Sequence, residues 1–277
     1  MNRTIVITGA SSGIGLAAAE QLAANGDHVV LVGRNPARLA AAVDRVRAAG
    51  NGREPGQFRA DFESLDQVRD LAAYLIGTYP KIDVLANNAG SMIANYRRTP
   101  DGFEATIQGN HLAPFLLTNL LRERLAGARV VNTASGIHRQ VRPGANGLTD
   151  FTGDPQKYQS SRTYGWSKSA NILFTAETAR RWPDVTSVSF HPGIVRSNFA
   201  SDRAAARFFF RYAPFLVTPE NAGARLVRLA TLPAADLANG AYYEADKANN
   251  ATRPAAHAND PAAAATLWDA SAKAVGL

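Results

Sequence analysis

The sequence predicts a doubly wound α/β domain: a central parallel sheet flanked by helices. Three observations carry this. Short β-branched runs alternate with Ala- and Leu-rich helical stretches along the chain. The strand-like runs are continuously apolar, as strands covered on both faces must be. The 277 residues are 46% apolar and show no internal repeat and no linker, which suits one domain over residues 1–277.

The elements follow in order. Arg3–Thr8 reads as the first strand and Gly13–Asn25 as the first helix. His28–Gly33 is a strand, followed by a helix over Pro36–Ala49 with Asn35 as N-cap and Gly50 as stop. Gln57–Ala60 is a short strand, and Ser64–Thr78 a helix capped by Ser64. Ile82–Asn87 is the fourth strand, Ala105–Arg124 one long helix and Ala128–Ala134 the fifth strand. A loop-rich insert over residues 136–159 precedes a helix that runs to Arg181. Strand Val185–His191, helix Pro219–Ala230 and strand Gly240–Tyr243 complete the alternation before a polar loop and an Ala-rich C-terminal helix.

Composition excludes several chemistries. Without cysteine there is no disulfide framework, thiolate nucleophile or Cys-based metal site. The histidines at 28, 111, 138, 191 and 257 have no metal-ligand spacing, so no metal is expected. A net charge of +7 could indicate an anionic partner. The arginines are spread along the chain, and no recognition motif or basic helix accompanies them, so nucleic acid is not an expected partner. An apolar run beginning at Thr4 leaves no room for a leader, and Leu112–Leu121 is too short to span a bilayer. The expected location is the cytoplasm, with no integral membrane segment.

Chemistry enters at the turn Thr8-Gly9-Ala10-Ser11-Ser12-Gly13-Ile14-Gly15. Gly9 permits a sharp turn, Gly13 lets backbone approach a diphosphate, and Gly15 lets helix and strand pack closely. The free N–H groups and the helix dipole favour an anion there. An ordinary glycine turn is the alternative, but a strand before and a helix after favour a dinucleotide site built from Gly9, Ser11, Ser12, Gly13, Ile14 and Gly15. The second strand ends in Val32-Gly33-Arg34-Asn35, with no acid to receive a ribose 2′-OH. Arg34 can instead hold a 2′-phosphate, which points to NADP(H).

Further motifs follow in order: Asn87-Asn88-Ala89-Gly90, Asn110-His111-Leu112, Ala134-Ser135, Tyr164-Gly165-Trp166-Ser167-Lys168, His191-Pro192-Gly193 with Val195 and Ser197, and Thr218-Pro219-Glu220. Jointly they resemble the short-chain dehydrogenase/reductase family, most closely its retinol-dehydrogenase-like, NADP-dependent reductases. The resemblance implies a Rossmann-type domain that transfers hydride between nicotinamide and a carbonyl or alcohol. It implies catalytic roles for Asn110, Ser135, Tyr164 and Lys168. Ser135 would polarise the substrate oxygen, Asn110 would hold a water that relays protons to Lys168, and Lys168 would also bind the nicotinamide ribose. Tyr164 and Lys168, four residues apart, lie on one helix face. A lysine cation about 5 Å away should favour tyrosinate by roughly 3 kcal/mol, about two pK units.

The same resemblance places Asp61, Phe62, Asn87 and Gly90 on the adenosine side. It places Pro192, Gly193 and Val195, by backbone, and Ser197, by hydroxyl, at the nicotinamide. Segment 198–217, with Phe199, Phe208, Phe209, Phe210, Tyr212 and Phe215, would be a substrate lid suited to a lipophilic aldehyde, ketone or secondary alcohol. The 29 residues from Ser135 to Tyr164 exceed the commoner spacing. That favours monomer or homodimer over tetramer. A cofactor-binding sensor without turnover is the alternative class, which loss of Tyr164 or Lys168 would have signalled.

Overall fold

The computed structural model describes residues 3–141, 149–195, 216–244 and 251–277. Among the described residues seven strands form one parallel sheet: β1 (Thr4–Thr8), β2 (His28–Gly33), β3 (Gly56–Arg59), β4 (Val84–Asn87), β5 (Arg129–Thr133), β6 (Thr186–Phe190) and β7 (Tyr242–Tyr243). Their order is β3-β2-β1-β4-β5-β6-β7. The winding reverses between β1 and β4, and the loops beyond the C-terminal ends of these strands diverge to leave a crevice.

Alternate residues of each strand feed two cores. Ile5, Ile7, Val29, Leu31 and Val131 face α1 (Gly13–Ala24), α2 (Pro36–Ala49) and α7 (Pro219–Thr231). Val6, Val30, Val32, Leu85 and Val130 face α3 (Leu65–Thr78), α5 (Ala113–Leu120), α6 (Ser160–Arg181) and α8 (Pro261–Val275). Helix starts follow local chemistry. Asn35 accepts from the Arg38 N–H at 2.9 Å, and Ser64 caps α3 through Gln67.

The expected single helix from Ala105 to Arg124 is broken. A short α4 (Ala105–Ile107) passes into a π-turn over Gln108–Leu112, then α5, then a 3₁₀ turn at Arg122–Leu125. Pro114 in the first turn of α5 supplies the reason: it has no N–H to give four residues back. That residue is Asn110.

Helix α8 packs along α6 and α5. Its Leu267 and Trp268 are buried, Trp268 against Phe115 and Phe174 with ring centroids 5.0 and 5.7 Å away. Each such side chain contributes about 1.5–3 kcal/mol. Phe151, from the insert, completes this aromatic layer beside Trp166. On the other face of the sheet the buried Arg129 of β5 donates to the carbonyls of Leu229 and Leu232 at 2.6 Å each, closing the C-terminal end of α7.

Candidate active site

The glycine turn is built as its sequence requires. Gly9 and Gly13 hold positive φ, +68° and +55°. A Cβ on Gly9 would lie 2.9 Å from the Ala89 Cα, and one on Gly15 would lie 2.5 Å from the Gly9 carbonyl oxygen. A Cβ on Gly13 would meet no protein atom within 4 Å and would project into open space. Ser12 starts α1 without a side-chain cap, and the first turn carries no acid. A helix N-terminus without acid, facing a concavity that a side chain would fill, fits a dinucleotide diphosphate. Ser11 sits against Gly33, where an added Cβ would come within 3.0 Å of its hydroxyl.

At the end of β2, Arg34 is more than half exposed, with Glu63 3.3 Å from its guanidinium. Glu63 is held more closely by Arg97. The β2–β3 register places Arg59 beside Gly33, and its Nε donates to the Arg34 carbonyl at 3.2 Å. Sequence reasoning missed this second arginine, because a strand register between distant segments was needed to find it. Asp61 accepts from the Glu63 N–H at 3.1 Å in the turn after β3. The Phe62 side chain lies in the core with Val6 and Leu112, so only its backbone could meet an adenine.

Asn87 ends β4 and Asn88 follows it; the family resemblance implies Asn87 on the adenosine side. Asn87 is buried and its amide donates to Thr118 and Asn132, tying down the strand. Asn88 shapes the turn instead: its side chain donates to the Thr8 carbonyl at 2.9 Å, and the Asn88 and Ala89 N–H groups both donate to the Thr8 hydroxyl. Gly90 is exposed, and a Cβ there would lie 3.2 Å from both the Asn110 Oδ1 and the Lys168 Nζ. Asn110 sits in the π-turn with its side chain fully engaged. It accepts from the Ser91 N–H and donates to the Ser91 carbonyl and the Ser167 hydroxyl, each at 2.9 Å. The Asn110 carbonyl lacks its α-helical donor, because Pro114 has no N–H.

The catalytic candidates converge from β5 and α6. Ser135 follows β5 and caps the 3₁₀ turn Gly136–Gln140. Its hydroxyl acts on the Tyr164 phenol against the rise that burial causes there. Lys168 lies one turn beyond Tyr164, its Nζ 5.4 Å from the ring centroid and donating to the Thr133 carbonyl at 2.9 Å. The acidity differs from the sequence expectation. Lost hydration pushes the Tyr164 phenol above its ordinary value, and the Ser135 hydroxyl recovers part of the shift. Burial lowers the Lys168 ammonium to about 8. In this low-dielectric pair desolvation outweighs mutual attraction. At neutral pH the phenol is protonated and the lysine mostly charged.

Beyond β6, the Pro192 carbonyl accepts from Arg225 of α7. Gly193 has φ +91°, and a Cβ there would strike Val217 at 2.7 Å. Val195 pairs with Val217, the last residue of the lid segment, in a parallel bridge. Ser197, residues 198–215 of the lid and residues 142–148 of the insert lie outside the described residues. Among the described residues no helix is long and apolar enough to cross a membrane, and no group of side chains could hold a metal ion.

The arrangement has clear relatives. Residues 3–147 match the family model "short chain dehydrogenase". The chain is 48% identical, over 99% of its own length and 93% of the relative's, to a candidate daunorubicin C-13 ketoreductase of Streptomyces sp. (strain C5). It is 33% identical to human retinol dehydrogenase 13, over 99% of this chain and 85% of that one. A candidate short-chain dehydrogenase of Shigella flexneri 2a strain 301, complexed with NADP, superposes with a TM-score of 0.70 at 25% identity, covering 89% of this chain and 98% of that one. Together with the glycine turn, the Ser135–Tyr164–Lys168 cluster and the parallel sheet, these matches place the chain in the short-chain dehydrogenase/reductase family of oxidoreductases, with ketoreductase and retinol dehydrogenase relatives.

Proposed function

We propose that the protein is an NADP(H)-dependent carbonyl reductase or alcohol dehydrogenase of the cytoplasm, acting on a lipophilic aldehyde, ketone or secondary alcohol. One observation carries this reading: a desolvated tyrosine near a serine hydroxyl, flanked by a lysine cation, beside an open glycine cradle. The cradle residues Gly9, Ser11, Ser12, Gly13, Ile14 and Gly15 would hold the diphosphate, Arg34 the 2′-phosphate, and Tyr164 and Lys168 the nicotinamide ribose. The chemistry such a dinucleotide supplies when bound is hydride transfer. The chain's own part is proton management. Ser135 donates to the substrate oxygen and orients it. Tyr164 gives its proton to that oxygen. Lys168 stabilises the phenolate left behind, and its charge is kept close by the Thr133 carbonyl.

The ketoreductase and retinol dehydrogenase names of the relatives support an apolar carbonyl or alcohol substrate. NADPH oxidation against a homologous aldehyde series tests this. Each additional buried methylene should add up to about 0.8 kcal/mol, so kcat/KM climbs until the pocket fills. A flat profile would refute a lipophilic substrate.

Cofactor choice has its own test. Arg34→Ala removes a charge-assisted contact of roughly 1.5–3 kcal/mol. NADPH should weaken by about 10–150-fold, with NADH little changed. Arg59→Ala should weaken NADPH in the same sense by a smaller factor, because Arg59 supports the Arg34 backbone. Equal losses for both cofactors would assign these arginines to structure alone. Because α8 covers the faces of α5 and α6, we read the chain as a monomer or dimer rather than a tetramer of these helices. Light scattering at the mass of four chains would overturn that.

A further inference from the structure

His138 is fully buried three residues after Ser135, outside the group assigned to catalysis. Its Nδ1 lies 2.7 Å from the Ser135 carbonyl oxygen. Its Nε2 accepts from the Ala255 N–H at 3.2 Å. With Nε2 an acceptor, the single proton of the neutral ring sits on Nδ1 and goes to Ser135. Burial keeps the ring neutral, lowering it to about 4 against the opposing pull of the Ser135 bond. The ring stands edge-on to Tyr242 of β7, centroids 5.0 Å apart, so its plane is fixed by packing.

The Ser135 carbonyl also accepts from the His138 N–H at 3.2 Å. Two donors on one carbonyl fix the Ser135–Gly136 peptide plane. That plane sets the strand exit from which the Ser135 hydroxyl reaches Tyr164. His257 lies 3.1 Å from the Ser169 hydroxyl, next to Lys168.

We propose that His138 is a positioning residue, its Nδ1–H holding the Ser135 carbonyl so that the Ser135 hydroxyl meets Tyr164 and the substrate oxygen. This rests on the reading of Ser135 and Tyr164 as catalytic. Two substitutions separate the two bonds of the ring. In His138→Asn the amide replaces Nδ1, keeping the bond to Ser135 and losing the one to Ala255. In His138→Gln the amide reaches the Nε2 position, keeping Ala255 and losing Ser135. Both lose the Tyr242 contact equally.

His138→Gln should lower kcat by about 10–100-fold, as for a reacting group displaced by a fraction of an ångström. NADPH affinity, read by fluorescence, should stay within about twofold in the same variant, since the cradle lies elsewhere. His138→Asn should keep kcat within about threefold, while melting temperatures fall alike in both variants. A third variant guards against misfolding. Ala255 has φ −60°, which suits proline, so Ala255→Pro deletes only the N–H given to Nε2 and should leave kcat unchanged. Equal losses of kcat in the Asn and Gln variants, or a loss in Ala255→Pro, would overturn the inference. Full kcat in His138→Gln, with turnover lost in Tyr164→Phe, would overturn it while leaving the catalytic reading intact. Full turnover in Tyr164→Phe would overturn both.

Discussion

Tyr164→Phe is expected to reduce turnover by about 10²–10⁴-fold, the range for losing a positioned general acid. The ring keeps its place beside Lys168, so cofactor affinity should fall only by the loss of one ribose hydrogen bond, about 0.5–1.5 kcal/mol. A phenylalanine variant that kept most of its turnover would remove Tyr164 from the mechanism. The pH profile adds a second reading of the same site. The Tyr164 phenol lies above its ordinary value, and so stays protonated through the neutral range. Lys168, lowered to about 8, loses its charge first as pH rises. The kcat/KM for reduction should therefore fall as pH passes about 8, because the phenolate left by proton transfer loses its counter-charge. A profile flat through that range would show that the lysine charge plays no part.

The second large effect belongs to the glycine turn, where two neighbouring glycines should fail in different ways. Gly15→Ala puts a Cβ 2.5 Å from the Gly9 carbonyl oxygen, 2.6 Å from the Asn88 amide and 3.0 Å from the Ala10 Cα. Backbone cannot yield cheaply, so a cost of about 1–3 kcal/mol is expected. A melting temperature several degrees lower should accompany loss of cofactor binding. Gly13→Ala meets no protein atom but takes up a left-handed φ of +55°. That strain costs about 1–2 kcal/mol, and the methyl group stands where the diphosphate would lie. Its cofactor affinity should fall at least as far as that of Gly15→Ala, with the smaller loss of thermal stability. Calorimetric titration with NADPH, beside thermal melts, separates the two. Tight binding by Gly13→Ala would show that the concavity is not the diphosphate site.

The sequence by itself determined the parallel α/β architecture, the glycine turn and the placing of Tyr164 and Lys168 on one helix. These are local facts: apolar runs mark buried strands, caps mark helix starts, and a spacing of four marks a shared helix face. The break in the helix carrying Asn110 was also legible, since Pro114 stands in the chain, but a continuous apolar pattern hid it. What tertiary structure decided is partnership and hydration. Phe62 belongs to the core because α3 and α5 close over it, and Asn88 rather than Asn87 holds the glycine turn because Thr8 of β1 lies beside it. Arg59 stands by Arg34 through strand register, and His138 meets Ala255 from 117 residues away. The tyrosine's acidity reversed its expected sign for the same reason. Spacing along a helix fixes how near a charge lies, but only the packed surroundings fix how much water each charge has lost.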